Sequence, residues 1–315
     1  MNTEIANAVN AAGDKAQYDT RVKRLLAQKS ILAHILVKTV DEFKGMKPED
    51  VVKYIEGEPS ISVVPVELGL ANMEKTDATG QRIVGLNTEN AEINEGLVRF
   101  DIIFYVRMKN GLSQIIVNIE AQKDEPTEYK ILNRAIFYVS RLISSQKERD
   151  FVNTNYDDIK QVFSIWICMN MDDNSLSHIH LTKDELLKPC NWKGNLDLLN
   201  IVLIGITNEI PEHDEKYEMH RLIGALLSSE LKEQEKLDII EHEYNIPISQ
   251  EFREDVSIMC NLSQGIEERA TEKTSEKFIL NMYKKGYTLD QIADVAETGV
   301  DEVEAIIKKK EPAMA

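Results

Sequence analysis

The sequence predicts a mixed α/β fold of the α+β kind, with helices flanking a sheet and a helical C-terminal extension. Three observations carry this. Apolar residues recur at helical spacing near the start, β-branched runs then dominate as far as residue 207, and the order helix, three strands, helix, strand suits helices packed on a sheet. Between two of the strand-like runs, Asn110-Gly111 forms the strongest short hairpin signal in the chain.

Residues 16–43 carry Leu25, Ile31, Leu32, Ile35, Leu36 and Val40 at helical spacing, which predicts one long helix or two joined ones. "ISVVPVELGL" (61–70) is β-branched and predicts a strand, placed at an edge by Pro65. "RIVGLNTE" (82–89), "LVRFDIIFYV" (97–106) and "LSQIIVNIEAQ" (112–122) predict three more. "YKILNRAIFYVSRLISSQ" (129–146) has an apolar stripe at 132, 135, 136, 139, 142 and 143, the pattern of an amphipathic helix. "KQVFSIWICM" (160–169) and "LDLLNIVLIGIT" (196–207) predict further strands, after which the chain turns helical and acidic. The expected organisation is a sheet-bearing domain at 1–207, an acidic helical extension at 208–272 and a helical tail at 273–315.

A two-residue turn at Asn110-Gly111 pairs positions whose numbers sum to 221. Asp101 then lies across from Glu120, and Arg99 across from Gln122. Alternation sorts the side chains. Phe100, Ile102, Phe104, Val106, Ile115, Val117, Ile119 and Ala121 share one face, all apolar, while Arg99, Asp101, Ile103, Tyr105, Ile116, Asn118, Glu120 and Gln122 share the other. A slip of one residue would carry polar groups into the apolar face. Two carboxylates directly opposite each other repel. A solvated face or a neutralising Arg99 would ease the repulsion; a divalent cation between them would exploit it. Magnesium takes one or two carboxylates together with waters and phosphate oxygens. Lys123 alternates onto the apolar side, which leaves Gln122 beside the carboxylates, and its amide can hydrogen-bond water or phosphate but carries no charge.

Taken together, Asp101, Glu120-x-Gln122 on the next strand, and a helix bearing Arg134, Tyr138 and Arg141 resemble the PD-(D/E)XK nuclease superfamily. Within it, "AQYDTRVKRLLAQKSILAHIL", "VRFDIIFYV", "IIVNIEAQKD", "LNRAIFYVSRLISSQ" and "VFSIWICM" are similar to the recombination-promoting nuclease and transposase-related family, of the Firmicutes type, over about residues 14–207. The resemblance implies a restriction-endonuclease-like core of order αβββαβ and magnesium-dependent cleavage of DNA, with manganese as the alternative ion. It implies metal binding by Asp101 and Glu120, with Gln122 in the place usually held by lysine. Phe100 stands where a proline often precedes the motif aspartate. The rival expectation is a catalytically inactive nuclease-fold protein that binds or regulates.

Arg134, Tyr138 and Arg141 lie at i, i+4 and i+7, nearly opposite the apolar stripe, where they could contact DNA phosphates; a solvated helix face is the plainer alternative. Asp19 on the first helix reads as a surface charge rather than an auxiliary acid. His178 and His180 follow "MDDNS" in an expected loop, and His213 and His220 read as surface residues. No Walker-type loop, G-x-S-x-G or dinucleotide fingerprint occurs. The tail "TLDQIADVAETGVDEVEAIIKK" resembles a helix-turn-helix opened by a Thr288/Gln291 capping box. Asp301, Glu302 and Glu304 at the start of its last helix favour packing or protein contact over DNA reading.

The net charge of −17 disfavours strong duplex binding. It is uneven, however: residues 209–255 hold 14 Asp/Glu against 5 Lys/Arg, a net of −9, whereas residues 123–149 hold 6 Lys/Arg against 4 Asp/Glu, a net of +2. Three scattered cysteines, no secretory pattern and no long apolar run predict a cytoplasmic protein without a membrane partner. A homodimer is compatible with these features.

Overall fold

The computed structural model describes residues 16–61, 74–76, 82–84, 89–92, 96–99, 101–107, 114–122, 130–147 and 150–310. The fold is mixed α/β, as expected. The first helical stretch is two helices, α1 (16–26) and α2 (Lys29–Thr39), joined through Ala27 and Gln28. Leu25, Leu26, Ile31, Leu32, Ile35 and Leu36 are all fully buried, which accounts for the spacing seen in the sequence. A short helix α3 (Pro48–Val51) follows, with proline at its first position, where its missing N–H costs nothing.

The edge strand β1 (Ile55–Ile61) comes earlier than the run expected at 61–70, of which only Ile61 lies within the described residues. Pro59 sits where the register to the neighbouring strand shifts between Glu56 and Ser60, an irregular edge position that tolerates a missing donor. Short strands then pair off by themselves: β2 (Glu74–Thr76) with β3 (Arg82–Val84), and β4 (Glu89–Glu92) with β5 (Gly96–Arg99). The run expected as one strand at 97–106 is therefore broken, and β6 (Ile102–Arg107) begins only after a bend at Asp101. The hairpin partner is β7 (Gln114–Gln122); the Asn110-Gly111 turn lies outside the described residues. Then come α4 (Ile131–Ser144), β8 (Val162–Cys168), β9 (Ser175–His180) and β10 (Leu199–Gly205).

The main sheet has the order β1-β6-β7-β8-β10-β9. The β6 strand is antiparallel to β1 and β7, β8 is parallel to β7 and β10, and β9 closes the far edge antiparallel to β10. Every residue of β8 and all of β6 except Arg107 are buried, as strands inside a covered sheet require. The helix α4 covers one face, packing Ile131, Ala135, Tyr138, Val139 and Leu142 against Ile103, Tyr105, Val162, Trp166 and Ile201. At the end of β10, a Cβ on Gly205 would come within 2.4 Å of Ser175 Oγ, so glycine permits the close approach of the edge strand.

Beyond the sheet the chain is helical: α5 (Glu218–Leu227), α6 (Glu233–Asp238), a single π turn at Ile239–Glu243, α7 (Gln250–Lys284), α8 (Leu289–Val295) and α9 (Val300–Lys310). By contact, Asp19–Ser257 form one compact unit, and residues 16–18 with those from Ile258 onward form another. Residues 208–257 thus fall in the same unit as the sheet. In the second unit, Ile279, Ile292, Ala293, Val303 and Ile307 make a small apolar core. The Thr288/Gln291 capping box forms: Gln291 N–H donates to Thr288 Oγ1, and Thr288 N–H donates to Gln291 Oε1 at 3.0 Å. Asp301 and Glu302 occupy the first turn of α9, where negative charge complements the helix dipole.

Candidate functional site at the end of the β6–β7 ladder

The ladder between β6 and β7 runs from Arg107↔Gln114 to Ile102↔Ile119, and each pair sums to 221. Asp101 and Glu120 are the next residues on the two strands beyond the Ile102↔Ile119 end of that series; the ladder itself stops before them, at the bend of Asp101. The parallel pairing of β7 with β8 fixes the same strand from the other side, matching Asn118 to Ser164, Glu120 to Trp166 and Gln122 to Cys168. Trp166 and Cys168 belong to the core beneath α4. Arg99 is not opposite Gln122. It pairs with Glu89 in the separate β4/β5 ladder, because the chain bends at Asp101 rather than continuing as one strand.

The cation beside Asp101 is instead Lys23 of α1, whose Nζ lies 2.6 Å from Asp101 Oδ1 and 2.5 Å from Asp19 Oδ2. The lysine side chain is 12% exposed and that of Asp101 19%, against 50% for Asp19. Asp19 is thus half-exposed, as expected of a surface charge, yet it is tied to the site through Lys23. Burial pushes the Asp101 carboxyl above its ordinary pKa, against the pull of the Lys23 charge; Asp19 adds to the rise, and Arg134 opposes it. Burial works against charge on Lys23, but the carboxylates of Asp101 and Asp19 outweigh it and raise the lysine's pKa. A half-buried pair of this kind is less screened than a surface pair.

Arg134 donates from Nη2 to Tyr138 Oη at 2.6 Å and lies 4.8 Å from the centre of the Tyr138 ring and 5.3 Å from that of Trp166. The two rings are 5.5 Å apart, and Trp166 Nε1–H is satisfied by Ser164 Oγ at 2.9 Å. This layer corrects the helical-wheel expectation for α4. Tyr138 and Arg141 are buried (8% and 5% exposed), whereas Leu132 and Ile136 of the expected apolar stripe are 40% and 45% exposed. Ala135, Val139 and Leu142 do face the core. On this side of the helix, Tyr138 and Arg134 lie against the Trp166 ring.

The other candidates find structural roles. His178 and His180 lie on the strand β9, not in a loop, and His178 Nε2 bonds Asn200 Oδ1 at 2.8 Å while its ring stacks on Phe163. His220 is buried rather than at the surface, with Nε2 3.0 Å from Ser175 O; His213 is exposed and sits 3.4 Å from Glu243. None of the three cysteines forms a disulfide among the described residues. Among the described residues no group of three or more His, Cys, Asp or Glu could hold a metal ion, and no helix is long and apolar enough to cross a membrane.

Sequence reasoning missed Lys23 and Trp166. Asp19 and Lys23 are visible as an i, i+4 pair, a modest helix-stabilising contact. Nothing local links them to Asp101. Asp101, a partly buried carboxylate, offers the oxygen donors that a hard cation takes and already attracts a cationic group. Comparison with known proteins brings no match, whether to a family model, a curated protein or a solved structure.

Proposed function

We propose that the chain is a magnesium-dependent DNA endonuclease of the PD-(D/E)XK kind, transposase-related and acting in DNA recombination. The observation that carries this reading is the β6–β7 register, whose pairs sum to 221 and whose continuation past Ile102↔Ile119 would set Asp101 across from Glu120. The order of the main-sheet elements supports it: with the short strands β2–β5 set aside, helix, then β1, β6 and β7, then α4 and β8, agrees with the αβββαβ order expected of a restriction-endonuclease-like core.

In this reading Asp101 and Glu120 hold the ion, magnesium or manganese. Bound there, it would orient and acidify a water for attack on the phosphodiester. Gln122, two residues along the strand, would position that water or a phosphate oxygen through its amide. Arg134 keeps positive charge over the Trp166 ring and tempers the negative charge at Asp101. Tyr138 fixes the guanidinium through its hydroxyl. Arg141, buried in the helix interface, supports α4 rather than reaching for the DNA backbone.

The test is nicking of supercoiled plasmid with and without magnesium by the wild type, Asp101→Ala and Glu120→Ala. The expected outcome is metal-dependent cleavage that falls by about 10²-fold or more in both variants, the scale of losing a group that acts on the transition state. A second reading, a nuclease-fold protein that binds or regulates without cutting, is favoured by one observation: the Lys23 ammonium already neutralises Asp101 without any metal. Folded wild type that neither cuts nor binds magnesium would establish that second reading.

A further inference from the structure

We propose that Lys23 is a catalytic residue, supplying from α1 the positive charge that Gln122 cannot supply from β7. The inference rests on the nuclease reading above and names how its charge requirement is met. In the displacement, the water oxygen bonds to phosphorus, one P–O ester bond breaks, and the displaced oxygen takes up a proton. One water is consumed and Lys23 keeps all three of its own protons. Negative charge builds on the non-bridging oxygens, and a neutral amide answers that charge far less well than an ammonium.

Four features single out Lys23. Its Nζ is within 2.6 Å of the very carboxylate that the reading makes a metal ligand. Its side chain is mostly withdrawn from water, where a charge acts more strongly than at the surface. It is a point charge on a four-carbon stem, so it can exchange a carboxylate oxygen for a phosphate oxygen without any movement of α1. The neighbouring cation, Arg134, is by contrast held by the Tyr138 hydroxyl and the Trp166 face. With the substrate absent, Asp101 and Asp19 hold the ammonium in place. Once Asp101 serves a divalent cation, Lys23 loses that partner, and a substrate phosphate takes its place.

The arrangement makes a signed prediction, because Lys23 and the metal compete for Asp101. In Lys23→Gln, cleavage of supercoiled plasmid should fall by about 10²-fold, the scale of one transition-state donor. Magnesium affinity, measured by titration calorimetry on the metal-free protein, should at the same time stay equal or become tighter. Circular dichroism checks that the variant is folded. If it is not, the double variant Asp19→Asn/Lys23→Gln, which keeps the local charge balanced, takes its place under the same criteria. Unchanged cleavage would overturn the proposal and leave Lys23 as a structural ion pair. A joint loss of cleavage and magnesium binding would also overturn it, since Lys23 would then only be placing Asp101. Wild type that shows no magnesium-dependent cleavage would instead sink the nuclease reading itself, and this proposal with it.

Discussion

The end of the β6–β7 ladder and the C-terminal helices solve the same problem, fixing a few side chains in place, by opposite means. Around Asp101 the charges come from remote stretches of chain: Lys23 from α1 and Arg134 from α4, the latter held in turn by Tyr138 and by Trp166 of β8. In α8 and α9 nearly everything is local, with Thr288 capped by Gln291 and Thr298 bonded to Glu302 at 2.6 Å. The first arrangement concentrates charge in a half-buried place, which is useful for chemistry and dependent on the whole sheet. The second spends its polar contacts on helix ends and leaves a plain apolar core.

Three perturbations probe that contrast. The largest effect is expected from Trp166→Ala. Trp166 is fully buried and carries Tyr138 and Arg134 on its ring, so its truncation should cost about 3–5 kcal/mol in urea denaturation. A loss below about 1 kcal/mol would mean that the remote contacts do not hold the sheet unit together, and the comparison would fail. Next comes Thr288→Ala, which removes one cap and should cost about 1 kcal/mol. Amide hydrogen exchange should show faster opening of α8 while β8 keeps its protection; equal loosening of both would show that the tail is not locally determined.

The smallest effect is a pH dependence in the sheet unit. His34 of α2 meets the Tyr244 ring edge-on at 5.3 Å, and burial lowers its pKa below the ordinary 6.5, against the pull of Glu218. A depressed histidine favours the folded state when neutral. Its contribution is therefore present above pH 6.5 and is lost as the pH falls through the folded-state value. Thermal melts should show stability declining on acidification below about pH 6.5, and His34→Asn should flatten that slope. An identical slope in the variant would assign the acid sensitivity to other groups.

The same contrast explains what could be read from the sequence. The hairpin register was legible because period-two alternation separates eight apolar positions from the polar ones, and only one pairing preserves the separation. The capping box was legible because both its members lie within one turn. Lys23 was not, since an ion pair between a helix and a distant strand leaves no periodic trace. The orientation of α4 was misleading for a related reason. Tyr138 packs on Trp166, a residue of another element that the helix's own periodicity does not register. The break before β6 was equally invisible, because "LVRFDIIFYV" has strand-forming residues throughout and only the folded chain reveals the bend at Asp101.

The β7 strand is gripped on both sides, antiparallel to β6 and parallel to β8, so two independent ladders agree on the register of residues 116–119, and the β8 ladder carries it on to Glu120. Substitution along it therefore changes chemistry one residue at a time, whereas an insertion or deletion inside residues 114–122 would break phase with both neighbours at once. The connections outside those limits carry no such double constraint. In a library built on this chain, length variation belongs between the strands and never within β7.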